Sequence, residues 1–179
     1  NKLIFDSEKP RIGIISTGKS FLDTKLGLEK IGINKEVAND IGIKFLKIAM
    51  PWPLEETVIE KFAENLGKII VVEEKRSIIE TQVKEILFNK NLKVKVIGKK
   101  DENSNDLFVS SGALDPGEIG LKIYETIKYL KLPKDVTNFS MELKSLTEST
   151  NSNISLKRIP HFCSGCPHNT STRIPDGSR

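Results

Sequence analysis

Cysteine, histidine and tryptophan are scarce in this sequence: two, two and one among 179 residues. Two cysteines cannot supply the disulfide framework of a small secreted domain, so we expect a reducing, cytoplasmic location. No run of about 18 apolar residues is present, which predicts no membrane-spanning helix. The apolar stretch that follows Asn1 is too short for a signal peptide. Because the chain also starts without Met, we expect both ends to continue in a longer polypeptide.

Neither sign of charge dominates the composition. The 28 basic and 24 acidic residues leave a net charge of +4, and lysines are interleaved with carboxylates along the chain. No basic stripe with interleaved aromatic residues is present, so nucleic acid is not an expected partner. The 37% hydrophobic and 29% charged residues are typical of a globular protein. The length predicts one domain of roughly 130 residues followed by a tail.

Short apolar runs alternate with segments of helical periodicity, which predicts a parallel sheet with helices on both faces. We therefore expect a three-layer α/β/α fold with five strands, four of them parallel. The N-terminal strand is expected to be antiparallel and to form a hairpin with the second. The predicted strands are residues 3–5, 12–17, 45–50, 68–73 and 92–97, the last near an edge, and the predicted helices are 21–31, 35–41, 55–66, 79–87 and 119–130.

The composition changes after the last of these helices. Residues 137–156 are rich in Ser, Thr and Asn and contain few large apolar side chains. Such a segment buries too little apolar surface to offset the entropy of ordering it, so it is expected to be extended or mobile. We therefore divide the chain into a folded domain at 1–132, a linker at 133–157 and an irregular tail at 158–179.

Three polar or aromatic segments follow predicted strands. Gly18–Ser20 resembles half of a phosphate loop, but Gly13 lies inside the strand and leaves no loop, so a helix start with Ser20 as its N-cap is favoured. Glu73–Arg76 is interpreted as a surface ion-pair cluster, with an interface as the alternative. Met50–Pro53 holds the single Trp, which belongs either to the core or to an interface.

Both cysteines and both histidines lie within eight residues, between His161 and His168. The Cys163–Cys166 spacing suits an iron–sulfur cluster, because Gly165 allows a turn on which two sulfurs converge. The alternatives are zinc, bound by both cysteines with one or both of His161 and His168, and a redox disulfide. A zinc-stabilised interaction module on an α/β scaffold is accordingly the competing function.

The longest recognisable stretch begins at Arg158 and runs Arg-Ile-Pro-His-Phe-Cys-Ser-Gly-Cys-Pro-His-Asn-Thr-Ser-Thr. It closely resembles the entry to the thiamine-diphosphate domain of the fused bacterial indolepyruvate ferredoxin oxidoreductases, a group of 2-oxoacid:ferredoxin oxidoreductases. Four upstream segments resemble the transketolase C-terminal-like domain of that family: Ser16–Ser20, Met50–Leu54, Val71–Arg76 and Gly112–Pro116. The resemblance covers nearly the whole chain and identifies residues 1–132 with the transketolase C-terminal-like domain and 158–179 with the start of the thiamine-diphosphate domain.

This resemblance implies oxidative decarboxylation of an aryl 2-oxoacid such as indolepyruvate, with coenzyme A as acyl acceptor and ferredoxin as electron acceptor. The implied cofactors are thiamine diphosphate, magnesium and a [4Fe–4S] cluster. It places Cys163 and Cys166 as cluster ligands and His168 and Asn169 near thiamine diphosphate. No catalytic residue is expected in this stretch, which is expected to be inactive and to hold no cofactor stably by itself. The intact enzyme is expected to be a homodimer built with the remaining domains of the polypeptide.

Overall fold

The computed structural model describes residues 1–90, 92–152 and 161–178, with side chains left undescribed at 149–152. Its sheet has five strands in the order β1-β3-β2-β4-β5. The strands β2 to β5 run parallel, and β1 runs antiparallel to β3. The α/β fold with a mostly parallel five-stranded sheet is therefore confirmed. The strands are β1 Lys2–Phe5, β2 Ile12–Thr17, β3 Ile43–Ile48, β4 Lys68–Val72 and β5 Lys95–Ile97.

The predicted N-terminal hairpin is wrong, because β1 pairs with β3 rather than with β2. Both edges of β2 are occupied by parallel neighbours, β3 and β4, so no edge of β2 is free for β1. The pairing places Phe5 opposite Phe45, with their ring centroids 5.7 Å apart in an edge-to-face arrangement. The turn at residues 7–10 therefore carries the chain across the sheet instead of reversing it between neighbours.

Helices cover both faces of the sheet. Alternate residues of β4 point to opposite sides: Ile70 and Val72 join one apolar cluster, whereas Ile69 and Val71 join the other. The first cluster is covered by α1 Gly18–Lys30, α2 Lys35–Ile41, α5 Pro116–Ile127 and α6 Lys134–Ser152. The second is covered by α3 Glu56–Ala63 and α4 Ile78–Phe88. The sheet is thus the middle of three layers.

Burial in the centre of the sheet matches the sequence pattern. Ile14, Ile70, Val71 and Val72 are all 1% exposed or less, as expected for parallel strands covered on both faces. Gly13, in the middle of β2, is also explained by packing. A Cβ at this position would lie 2.6 Å from the Cδ1 atom of Leu66 and 2.7 Å from the Phe62 ring, so a larger residue would force these side chains to shift.

The linker expected over 133–157 is helical over most of its described length, since α6 extends from Lys134 to Ser152. The Ser, Thr and Asn content obscured an apolar stripe at helical spacing. Val136 is 1% exposed, and Leu143 packs against the same cluster two turns later. Phe139 covers Gly32, where a Cβ would lie 2.7 Å from the Phe139 ring. Residues 153–157 of the predicted linker lie outside the described residues.

The chain divides into two units, Asn1–Thr147 and Glu148–Arg179. The first contains the sheet and its covering helices, so the folded domain continues well beyond the predicted boundary at 132. The described part of the second is largely irregular after α6 and contains one short helix, α7, at His168–Ser171. None of the helices that the structure describes combines the length and the apolar character needed to cross a membrane.

Candidate functional site

The two cysteines lie at the ends of one tight turn in the second unit. The backbone N–H of Cys166 donates to the carbonyl oxygen of Cys163, with an N–O distance of 3.0 Å. Gly165 has a φ of 81°, a left-handed conformation that glycine adopts without strain. Both thiols are free, Cys163 exposed and Cys166 half-buried. The backbone turn expected from Gly165 is therefore present between the two cysteines.

Asn169 closes this turn from its C-terminal side. Its backbone N–H donates to the carbonyl oxygen of Cys166, and its side-chain amide donates to that of Cys163, both over 3.0 Å. One residue thus holds both cysteines through their backbones. The sequence pattern did not identify this contact, because the Cys-x-x-Cys spacing carries no information about which following side chain folds back.

His168, the first residue of α7, is attached to the same turn. Its Nδ1 atom lies 3.2 Å from the sulfur of Cys166, and the direction of this hydrogen bond depends on the imidazole tautomer. The imidazole ring also stacks on Phe162, with ring centroids 5.2 Å apart. His161 is exposed. The structure therefore brings Cys163, His168 and Asn169 together around Cys166.

The donor chemistry of this turn fits half of an iron–sulfur site. Two free thiols held at fixed spacing are ligands that soft metals prefer, and a [4Fe–4S] cluster requires four ligands. Among the described residues, no three Cys, His, Asp or Glu side chains form a metal-binding group. Cys163 and Cys166 are therefore two free thiols that could each supply one ligand.

A second candidate site lies where β2 and β4 end. In an open parallel sheet, ligands bind beyond the carboxyl ends of the strands at the point where the strand order reverses, which here falls between β2 and β4. A cleft of about 340 Å³ occupies this position. Its walls come from three segments: residues 17–20, the Pro51–Trp52 pair, and residues 73, 74, 76, 78 and 79 around the start of α4.

The first wall of the cleft differs from its predicted form. The helix α1 begins at Gly18, with Thr17 at the N-cap, and no side chain caps it. Ser20, predicted as the cap, is instead buried inside the first turn. The Thr17 hydroxyl instead donates to the carbonyl of Ile48. Lys19 projects outward and forms ion pairs with Asp23 and Glu74.

Glu73 is not part of a surface ion-pair cluster, since it is only 5% exposed. Its carboxylate accepts hydrogen bonds from the backbone N–H groups of Ile78, Ile79 and Glu80, and so caps α4. Burial raises the pKa of the Glu73 carboxyl, and the three N–H groups and nearby Lys99 partly offset that rise. Burial lowers the pKa of Lys99, whose ammonium donates to the Glu73 carbonyl.

Comparison with known proteins identifies related sequences. A family model described as the indolepyruvate oxidoreductase domain matches residues 2–152. The indolepyruvate oxidoreductase subunit IorA of Thermococcus kodakarensis is 27% identical over 173 residues, covering 92% of this chain and 22% of that protein. The IorA subunit of Pyrococcus horikoshii is 33% identical over 92 residues, covering 51% of this chain and 13% of that protein.

The chain spans less than a quarter of the length of these curated relatives, by the 22% and 13% coverage above. Among solved structures, a 2-oxoglutarate:ferredoxin oxidoreductase from Magnetococcus marinus is similar with a TM-score of 0.49 at 15% identity, over 70% of this chain and 19% of that chain. A split-gene transketolase is similar with a TM-score of 0.44 at 16% identity, over 68% of this chain and 40% of that chain.

Proposed function

Because the chain belongs to the indolepyruvate oxidoreductase domain family, we propose that it is part of an enzyme that oxidatively decarboxylates 2-oxoacids. The proposed substrate is an aryl 2-oxoacid such as indolepyruvate, the proposed acyl acceptor is coenzyme A, and the proposed electron acceptor is ferredoxin. The IorA relatives, matched over up to 94% of this chain, support the choice of substrate class. The remaining domains of a longer polypeptide complete the enzyme in this proposal.

The observation that carries the proposal is the turn between Cys163 and Cys166. Thiamine diphosphate with magnesium would supply carbanion chemistry when bound, and a [4Fe–4S] cluster would supply electron transfer. In this chain, Cys163 and Cys166 would each bind one iron through sulfur. Gly165 permits the turn, and Asn169 donates to the carbonyl groups of both cysteines and so holds the turn.

His168 is proposed to tune this site rather than to complete it. Its Nδ1 atom contacts the Cys166 sulfur, so the ring can donate a hydrogen bond to a thiolate that also binds iron. Hydrogen bonds to cluster sulfurs shift the reduction potential. Stacking on Phe162 holds the ring in this orientation. Asn169, by contrast, uses its amide on the Cys163 carbonyl, and so its proposed role is to hold the turn beside thiamine diphosphate.

The test uses the full-length protein, purified without oxygen. Cys163→Ala and Cys166→Ala are each expected to lose iron, to lose the cluster signal in the visible and electron paramagnetic resonance spectra, and to stop reducing ferredoxin. Ser164→Ala, between the two ligands, is the matched control and should keep iron and activity. One equivalent of zinc with wild-type electron transfer in either cysteine variant would refute the cluster and favour a zinc-stabilised interaction module.

A second pair of variants separates His168 from Asn169. His168→Ala is expected to lower turnover and to shift the reduction potential while iron content stays near that of the wild type. Asn169→Ala is expected to lower iron content itself, because the Cys163 carbonyl loses the side-chain amide that donates to it. Equal loss of iron and turnover in His168→Ala would instead assign that residue a structural role.

A further inference from the structure

The cleft between the ends of β2 and β4 has the dimensions and composition of a small-ligand site. Its volume, about 340 Å³, lies in the range of known ligand pockets, roughly 300–1,000 Å³. Its floor is apolar, with Ile79 buried and Ile78 half exposed at the rim. All of its lining residues belong to the first unit, whereas the cysteine turn belongs to the second. The cleft is therefore a site separate in sequence from the cysteine turn.

A large aromatic surface forms one wall of the cleft. Trp52 has the largest side chain of its segment, yet it is 69% exposed. It lies between two prolines, which restrict its backbone. Met50, which precedes it, is 56% exposed. An indole face held at the mouth of an apolar cleft is a stacking platform for a planar ring.

The charged groups at the rim determine whether the cleft favours an anionic or a cationic ligand. The ammonium of Lys19 is already paired with Asp23 and Glu74. The buried carboxylate of Glu73 is covered by three backbone N–H groups. Among the described residues, no hydrogen bond or ion pair uses the guanidinium of Arg76, which is exposed on the lining of the cleft. Of the described lining residues, Arg76 is therefore the unpaired cation of the cleft. A guanidinium binds a carboxylate or phosphate through two parallel hydrogen bonds.

We propose that this cleft binds a planar aromatic anion, with the ring against Trp52 and the carboxylate or phosphate on Arg76. The first turn of α1 reinforces this preference, because it contains no acidic residue and no side-chain cap. Both an aryl carboxylate and a nucleoside phosphate have this chemistry. The proposal rests on the residues of the cleft and does not depend on the reaction proposed above.

Trp52 is the only Trp of the chain, so its fluorescence reports directly on this cleft. We expect saturable quenching by AMP or by phenylacetate, and the tighter of the two identifies the phosphate or the carboxylate as the natural group. Adenosine and inorganic phosphate separate ring from charge, and each should bind at least about tenfold more weakly than AMP if AMP is the tighter probe. Lack of saturation by both AMP and phenylacetate would overturn the proposal.

Matched variants then test the contact with Arg76. Arg76→Gln should lower the affinity for the tighter probe by about tenfold, which corresponds to the loss of one charge-assisted hydrogen bond. Lys75→Gln removes the neighbouring exposed cation, which does not line the cleft, and should change affinity less than about twofold. Circular dichroism checks that both variants fold. Equal affinities in Arg76→Gln and Lys75→Gln would refute the assigned contact even if the probe binds.

Discussion

Gly27 in α1 and Gly120 in α5 bring the backbones of these two helices into direct contact. A Cβ on Gly120 would lie 2.5 Å from the carbonyl oxygen of Gly27, and a Cβ on Gly27 would lie 3.0 Å from the backbone nitrogen of Gly120. These atoms belong to the backbone, which cannot move aside as a flexible side chain can. The two glycines therefore set how closely α1 and α5 cover the sheet.

Gly27→Ala and Gly120→Ala are both expected to lower the free energy of unfolding, by about 1–3 kcal/mol each. Overpacking at this crossing outweighs the helix propensity that Ala gains over Gly, about 1 kcal/mol. Denaturant unfolding measures the change. Gly67→Ala is the control, because its Cβ would meet nothing nearer than 3.7 Å. A gain of stability in Gly27→Ala would contradict the close crossing.

The docking of α6 is tested by two positions on that helix. Val136 is 1% exposed, so Val136→Ala should lower the free energy of unfolding by about 1–3 kcal/mol. Met141 is 62% exposed, and Met141→Ala should change the free energy of unfolding by less than about 0.5 kcal/mol. Equal, small effects at both positions would mean that residues 134–147 do not pack on the domain in solution.

Glu73 gives the domain a pH-dependent contribution of definite sign. Burial raises the pKa of this carboxyl in the folded state, so the folded protein binds its proton more tightly than the unfolded chain does. The contribution of Glu73 to stability is therefore fully present below the unfolded pKa and falls as pH rises through the folded value. Glu73→Gln cannot titrate and lacks this dependence.

The measurement is denaturant unfolding of wild type and Glu73→Gln between about pH 4 and pH 7. The stability of the wild type relative to this variant should be greatest at the acid end and decrease as pH rises. Glu74→Gln removes the adjacent carboxylate, which pairs with Lys19 at the surface, and is the matched control. A relative stability that increases with pH would mean that the three N–H donors outweigh burial.

An aspartate in the central strand tests the sheet itself. Val71 is 1% exposed in β4, and Val71→Asp should abolish cooperative folding, because an unpaired charge buried among apolar residues costs several kcal/mol. Val109→Asp introduces the same charge at a residue that is 37% exposed and should leave a folded protein. Size-exclusion chromatography and circular dichroism distinguish the two results.

Local pattern was sufficient for the parts of this protein whose neighbours are close in sequence. The apolar run of β4 predicted a buried strand, and the apolar spacing of α3 and α4 predicted helices at about the observed positions. Both patterns can be recognised from consecutive residues alone. The turn at Cys163–Cys166 was likewise predicted, since Gly165 and the two-residue spacing restrict the backbone locally. Helix α6 was missed because three apolar side chains were hidden in a polar composition.

The sequence by itself determined the three-layer α/β class and the position of the thiols, because both depend on periodicity and on residue type. Only the tertiary structure decided which strand lies beside β1, why Gly13, Gly27 and Gly120 have no side chain, and which backbone groups Glu73 caps. Each of these depends on atoms that are distant in the chain and meet only after folding. The same reason explains why the cleft at Trp52 and Arg76 emerged from the fold, since its walls come from the ends of three different strands.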